Sequence, residues 1–248
     1  MIEYSTNKGG IKIQHKLYAK KIKVSDGFKI VNYNYVRGNF FAPLFIKKHR
    51  YTLLVDLTQN EEVIFQHFKP NTRNKIRRAV KNEVVFDIET NLKEFITFYN
   101  EFALKKGQAF LSYESFQQLK PLTLTKAMIH DQTLVMHAHI TDKKANIAKM
   151  INSASVRLEK GTNTNLAGWA NRFLHYQDML YFKKKGVKTY DFGGTAHHTK
   201  KKDNHEIDRF KMEFGGRIID EYFYESIPHY LALNLNKVFS SVIRRKSI

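Results

Sequence analysis

Along this chain the spacing of apolar residues changes period several times, and the order of those changes limits the folds open to it. Over residues 11–57 the period is two: Ile11 and Ile13, then Phe28 and Ile30, alternate with polar residues, and Tyr51 to Leu57 is a β-branched and apolar run, so this stretch reads as short strands. The period then lengthens. Thr58 reads as a helix N-cap followed by Glu61 and Glu62, whose carboxylates suit the positive end of a helix. Val63, Ile64, Phe65 and Phe68 make one apolar face, which Pro70 stops. A second helix is expected from about Asn71, with Ile76, Ala79 and Val80 inward and Arg73, Lys75, Arg77, Arg78 and Lys81 outward.

Alternation returns over residues 84–88, and Leu92, Phe95, Ile96, Tyr99 and Phe102 then recur at three and four until Gly107 closes an amphipathic helix. A helix near 113–119 precedes a hairpin predicted from strands at 133–140 and 145–158 around Asp142-Lys143-Lys144. Residues 160–165 read as loop, 167–185 as a long helix ended by Gly186, and 187–192 as a strand. A short helix near 207–213, a strand over 217–224 and a helical tail from Leu231 complete the pattern. This order predicts an α+β, mixed α/β fold and excludes a repeated βαβ array. The expected division is a strand and helix region over 1–82, ending in the basic helix, and a second domain over 83–248.

The chain has 248 residues, of which 42% are hydrophobic, enough to bury a sizeable core despite a net charge of +19. It has no cysteine, which excludes disulfides, thiolate metal sites and a cysteine nucleophile. The densest apolar run, Phe40 to Ile46, is far short of the roughly 20 residues of a membrane span. A cytoplasmic protein is the expectation. The charge favours a polyanionic partner, although lysine, a solvated point charge, outnumbers the arginine suited to bidentate phosphate recognition. Between Glu62 and Glu83 no acid interrupts the basic residues.

Asp191-Phe192-Gly193-Gly194 contains the Asp-Phe-Gly of a kinase magnesium loop, but no Gly-rich phosphate loop and no His-Arg-Asp sequence accompany it. His197, His198, Asp203, His205 and Asp208 match no metal-ligand spacing and sit beside Lys200, Lys201 and Lys202, so no metal is expected. In the long helix Asp178 shares a face with Leu174, Tyr181 and Phe182, and a carboxylate on a packed face needs a partner. Asp191 raises the same question at the end of a strand.

Three segments in order, Thr72-Arg73-Asn74-Lys75-Ile76-Arg77-Arg78-Ala79, the helix from Phe173 into Lys185-Gly186 with Tyr190-Asp191-Phe192-Gly193-Gly194, and Arg209-Phe210-Lys211-Met212-Glu213-Phe214-Gly215-Gly216, resemble the Fem-type branch of the GNAT acyltransferase superfamily. The resemblance covers roughly residues 50–225. His137, Asn152, Ser153 and Asn171 to Asp178 look closer to its short amino-sugar N-acyltransferases than to its peptidoglycan-bridge enzymes. It implies a GNAT-like central mixed sheet flanked by helices, with a reduced first unit. The chain departs from the pattern in that first unit and in lacking an evident Gly- and Arg-rich pyrophosphate loop between Leu158 and Trp169.

The chemistry implied is attack of an amine on an activated acyl carbon without a covalent enzyme intermediate, which needs no cysteine. Lys211 matches the lysine that related enzymes hold near the reacting carbonyl. His137, Asp178 and Asp191 are the candidates for proton transfer or orientation of the amine. Asn152, Ser153, Ser155, Trp169, Asn171 and Arg172 are expected at the acyl-CoA donor, and Arg73, Arg77 and Arg78 at phosphates of the acceptor. The expected reaction moves an acyl group from acyl-CoA to the amine of a nucleotide-linked amino sugar (dTDP- or UDP-linked) for a surface polysaccharide. The alternatives are an aminoacyl-tRNA-dependent transferase acting on a peptidoglycan precursor and a non-catalytic RNA-binding protein.

Overall fold

The structure, a computed structural model, describes residues 1–195 and 202–233. His197 and His198, and the tail beyond residue 233, lie outside the described residues. The chain forms two compact units, one of Met1–Arg50 with Asp220–Ile248 and one of Tyr51–Ile219. This differs from the expected division after residue 82. The basic helix belongs to the second unit, because its apolar face of Ile76 and Ala79 packs into the same core as Ala170, Phe173 and Leu174 of the long helix.

In the first unit, β1 (Ile2–Lys8) and β2 (Ile11–Leu17) form an antiparallel hairpin whose turn is Gly9-Gly10, both at positive φ. Strand β3 (Val31–Val36) lies parallel to β2, and β10 (Arg217–Ser226) pairs antiparallel with β3. Val31, Tyr33, Val36, Phe45 and Tyr224 make its core. Inside it, Asp26 is held by Lys16 at 2.6 Å and by the Tyr33 hydroxyl. Sequence reading missed β1, where polar residues fill most positions.

The second unit is built on a mixed sheet. The order is β4 (Phe45–Asp56), β9 (Thr189–Thr195), β8 (Ile147–Ser155), β7 (Gln132–Asp142), β6 (Leu122–Ile129) and β5 (Val85–Glu89), with β8 and β9 parallel and the other neighbours antiparallel. Strand β6 was not expected, since Pro121 precedes it and Lys126 interrupts its apolar residues; it turns the expected hairpin into a meander. Helices α1 (Glu61–Gln66), α2 (Pro70–Lys81) and α5 (Thr164–Lys184) share one core with β4, β7 and β9. A second cluster joins α3 (Leu92–Lys106) and α4 (Tyr113–Gln117) to Met136 and Ala138 of β7. Helix α6 (Lys202–Met212) follows β9.

Two helix starts differ from expectation. Asn60, not Thr58, caps α1, accepting from the Val63 amide at 2.8 Å, while Thr58 bonds Asp56. Helix α5 begins at Thr164 because Asn163 accepts from the amides of Asn165 and Leu166. The last two residues of the expected 160–165 loop, Thr164 and Asn165, are therefore helix. No described helix is long and apolar enough to cross a membrane.

Candidate functional site

Strands β8 and β9 run side by side only from Ile147 and Thr189 to Lys149 and Asp191. Beyond that pair the ladder stops, while β8 continues to Ser155 and β9 to Thr195. The sequence of β9 accounts for the parting. Thr52 of β4 pairs with Gly194 and Leu54 with Asp191, so the segment Phe192-Gly193 bulges out of register with β4. Gly193 takes a left-handed φ of +77°, and a Cβ there would meet the Met150 carbonyl at 3.0 Å. Asp191 fixes the turn by accepting the Gly193 N–H at 2.8 Å. Asp191-Phe192-Gly193-Gly194, whose kinase-like match stood alone in the sequence, is thus a β-bulge that opens a fork and leaves one edge of β8 beyond Lys149 without a strand partner among the described residues.

Buried polar groups gather at the apex of the fork. Lys149 donates to Asp191 at 3.1 Å and lies 3.4 Å from the Thr52 hydroxyl, which also bonds Asp191. The Lys211 ammonium, carried in by α6, donates to the carbonyls of Gly194 at 2.6 Å and Gly193 at 3.4 Å. Burial lowers the Lys211 pKa to about 8, with the like charge of Lys149 adding to it against the opposing pull of Asp191 and Asp208. The sequence-predicted Lys211 and Asp191 therefore meet. Lys149, which sequence reading missed, bonds Asp191 and acts by charge on Lys211; its only signal was a lone lysine in an apolar strand.

A second buried cluster lies between β7 and α5. His137 and His139, two apart on β7, share the face toward α5, where His175 and Asp178 are one turn apart. His137 Nδ1 donates to Asp178 at 2.7 Å, and its Nε2 faces Asn171 Oδ1 at 3.0 Å. His139 Nε2 lies 3.4 Å from Asp178 and 3.1 Å from the Tyr190 hydroxyl, which also reaches His175 Nδ1 at 3.2 Å. His137 thus bridges the Asp178 carboxylate and the Asn171 amide. Burial opposes the Asp178 charge, but the charges and hydrogen bonds of His139 and His137 outweigh it and hold the carboxyl well below its ordinary range. His175 goes the other way: burial, with the charge of His137 next, pushes it well below the ordinary histidine value.

His137, His139 and Asp178 are also the described residues whose donor atoms could hold a metal ion, lying within 4.8 Å of one another. Ligands of a tetrahedral cation at about 2.0–2.1 Å keep roughly 3.3 Å apart. The 2.7 Å between His137 and Asp178 is a hydrogen-bond distance, and the cluster as placed is a hydrogen-bonded network.

The expected donor residues divide between the two faces of the sheet. Ser153 pairs with His137 and Ser155 with Val135, which puts both on the α5 face. Asn152 pairs with Ala138, a member of the α3 cluster, and so lies on the opposite face from Ser153. Arg172 donates to Glu213 at 2.9 Å and to the Gly168 carbonyl at 3.3 Å and stacks on Phe210, while its Nε has no hydrogen-bond partner. Glu213 is held on the same oxygen by Thr72 at 2.9 Å.

The three basic residues expected at phosphates do not act together. Arg73 donates to the carbonyls of Gln66 and Phe68 and so locks the α1–α2 corner. Arg77 bonds Asn74 and lies over Phe65. Arg78 lies 5.4 Å over the Trp169 ring, which joins it to the start of α5. A residue not singled out, Lys75, has its pKa lowered first by partial burial and then by Arg172, Arg157 and Arg209, with Glu213 opposing. Cations from α5, α6 and the turn Val156–Leu158 thus all act by charge on Lys75 of α2.

The fold has precedents among solved structures. FemX aligns over 94% of this chain and 85% of its own, with a TM-score of 0.65 at 12% identity. The C-terminal domain of a putative lysylphosphatidylglycerol synthetase from Agrobacterium fabrum aligns over 84% of this chain and 71% of its own, with a TM-score of 0.55 at 10% identity. L-PGS from Bacillus licheniformis aligns over 82% and 71%, with a TM-score of 0.54 at 10% identity. No family model and no curated protein matches the chain. At these identities the likeness is one of fold: a mixed α/β architecture with a large mixed sheet flanked by helices.

Proposed function

We propose that this chain is an N-acyltransferase that moves an acyl group from acyl-CoA to the amine of a nucleotide-linked amino sugar, in the cytoplasm. The observation that carries the reading is the fork between β8 and β9, with the open edge of β8 on one arm and the Lys211 ammonium held at Gly193 and Gly194 on the other. An acyl carbonyl lying in the fork meets backbone N–H donors of β8, which stabilise the oxyanion as it forms.

The substrate amine attacks the acyl carbon, the C–N bond forms and the carbonyl oxygen takes the negative charge. Collapse restores the carbonyl, breaks the bond to the leaving group and releases a thiolate, which takes up a proton, while the new amide nitrogen loses one. Lys211, with a pKa brought near neutrality, is suited to supply or receive that proton besides polarising the carbonyl. His137 and Asp178 are too buried to touch substrate. They hold Asn171, through His137 Nε2, at the surface of α5 beside Ser153.

The cations that act on Lys75 fit phosphates of the donor. Lys75, Arg157 and Arg209 join Arg172 for this role, and Trp169 at the start of α5, with Arg78 over its ring, offers a stacking face. This chemistry is shared by CoA and by the 3′ end of a tRNA. The second reading, an aminoacyl-tRNA-dependent transferase acting on a peptidoglycan precursor, is favoured by the likeness to FemX over 94% of the chain.

A thiol-release assay with acetyl-CoA and a panel of dTDP- and UDP-linked amino sugars tests the first reading. Turnover that Lys211→Ala lowers about 100-fold or more is the expected result. No turnover with any acyl-CoA, together with tRNA binding that weakens steeply with salt, overturns it in favour of the second.

A further inference from the structure

The transfer reading assigns chemistry to Lys211 but leaves unexplained why a second lysine, Lys149, is buried at the apex of the same fork. Removing an ammonium from water is costly unless it is paired, and sequences seldom place lysine in a central strand without a use for it. Lys149 is 2% exposed and Asp191 fully buried, and these two are the last cross-strand pair before β8 and β9 separate.

We propose that Lys149 is a positioning residue of the transfer site, acting on the reaction through Asp191 and Lys211 without touching substrate. The inference rests on the transferase reading for its purpose, although not for its geometry. Asp191 is bound on three sides, by Lys149, by the Thr52 hydroxyl and by the Gly193 N–H. The Gly193 contact shapes the bulge whose carbonyls, at 193 and 194, receive the Lys211 amine. Lys149 therefore neutralises the carboxylate that builds the seat of Lys211.

Its charge acts on Lys211 as well. Among the described residues, the charged and titratable groups that act on Lys211 are Lys149 of β8, Asp191 of β9, Asp208 of its own helix and His175 of α5. After burial, Lys149 is the largest influence lowering the affinity of Lys211 for its proton, and it outweighs Asp191. With Asp191 alone, burial would still lower the affinity of Lys211 for its proton, but against a carboxylate that nothing offsets. With Lys149 beside the carboxylate, it becomes a group that exchanges its proton near neutral pH, as an acid–base role requires.

The test is a titration of Lys211 itself, which needs no substrate. In protein carrying 13C-labelled lysine side chains, the Lys211 signal is assigned with Lys211→Arg and its midpoint followed with pH. The wild-type midpoint is expected near 8. In Lys149→Met it rises by roughly one pH unit, in Lys149→Arg it stays near the wild-type value, and in Asp191→Asn it falls, because Lys149 then faces Lys211 unneutralised. Asp191→Asn serves if Lys149→Met does not fold, since its sign alone separates an electrostatic role from a packing one. A wild-type midpoint at the ordinary lysine value, or variants that fold and leave the midpoint unmoved, overturns the proposal. Normal titration shifts without any acyl transfer would instead overturn the transferase reading and leave the electrostatic coupling standing.

Discussion

His137 and Asp178, on β7 and α5, meet at 2.7 Å with neither side chain exposed to solvent. A carboxylate buried so completely is tolerated because His137 and His139 supply donors and positive charge. Removing His137 strands it. His137→Ala should cost about 3–5 kcal/mol in denaturant unfolding. His137→Phe, which keeps a ring in place but removes the nitrogens that bond Asp178 and Asn171, should cost nearly as much. A Phe variant as stable as the parent protein would mean that the ring only fills space.

Stability should fall on the acid side of pH 6.5. His175 is fully buried with its pKa well below the histidine value, so between the two values the unfolded chain binds a proton that the folded chain does not. The contribution is complete above 6.5 and is lost at about 1.4 kcal/mol per pH unit as the pH drops toward the folded value. Asp178, also depressed, adds a loss that begins near its unfolded value of 3.8 and grows as the pH drops. Unfolding free energies measured from pH 8 to 5 should show the first slope, and His175→Phe, placed among Phe192, Phe210 and Phe214, should flatten it. An unchanged slope in that variant would count against the assignment.

Gly216 sits at φ +97°, and a Cβ there would lie 2.4 Å from the Leu54 carbonyl oxygen. Neither the conformation nor the backbone contact can relax cheaply. Gly216→Ala should destabilise the second unit by about 3 kcal/mol or more, read as a lowered denaturant midpoint at constant slope. Gly107→Ala, also left-handed but with open space around it, should cost only the conformational part, about 1 kcal/mol.

Helices with one apolar stripe and a closing glycine were legible in the sequence, as α3 shows with its stripe from Leu92 to Phe102 and Gly107 after it. Strand β7 was legible as a strand but not in its role, because residues facing both clusters are buried and the alternation of His137 and His139 against Met136 and Ala138 disappears in a nearly continuous apolar run. Asp191 could be singled out by its place at the end of a strand and Lys211 by the resemblance of its segment to Fem-type enzymes. Lys149 could not, since its meaning comes from a cross-strand partner 42 residues away. The basic segment at 73–81 shows the opposite case. Its charge was local and visible, but which cations face a ligand and which, like Arg73, fasten a corner depends on helix packing that periodicity does not report.

The cations that act on Lys75 give the last expectation. Arg157 and Arg209 are exposed and come from the turn before α5 and from α6, while Lys75 of α2 feels both. Among the charges that act on Lys75, Glu213 opposes them, and it is already engaged by Arg172 and Thr72. A ligand bearing phosphates would relieve this repulsion, so binding should be strongly salt-dependent. Arg157→Ala with Arg209→Ala should weaken adenosine 3′,5′-bisphosphate and CoA binding about 10-fold or more in calorimetry, while leaving the melting temperature of the free protein unchanged or slightly raised, because like charges have been removed. Arg172→Ala should differ in kind. It exposes Glu213 without its partner inside the fold, so it should lower stability by about 1–3 kcal/mol as well as affinity. Equal CoA binding by the double variant and the parent protein would place the donor phosphates elsewhere, and tRNA binding lost in the double variant while CoA binding is unchanged would assign these cations to the nucleic acid.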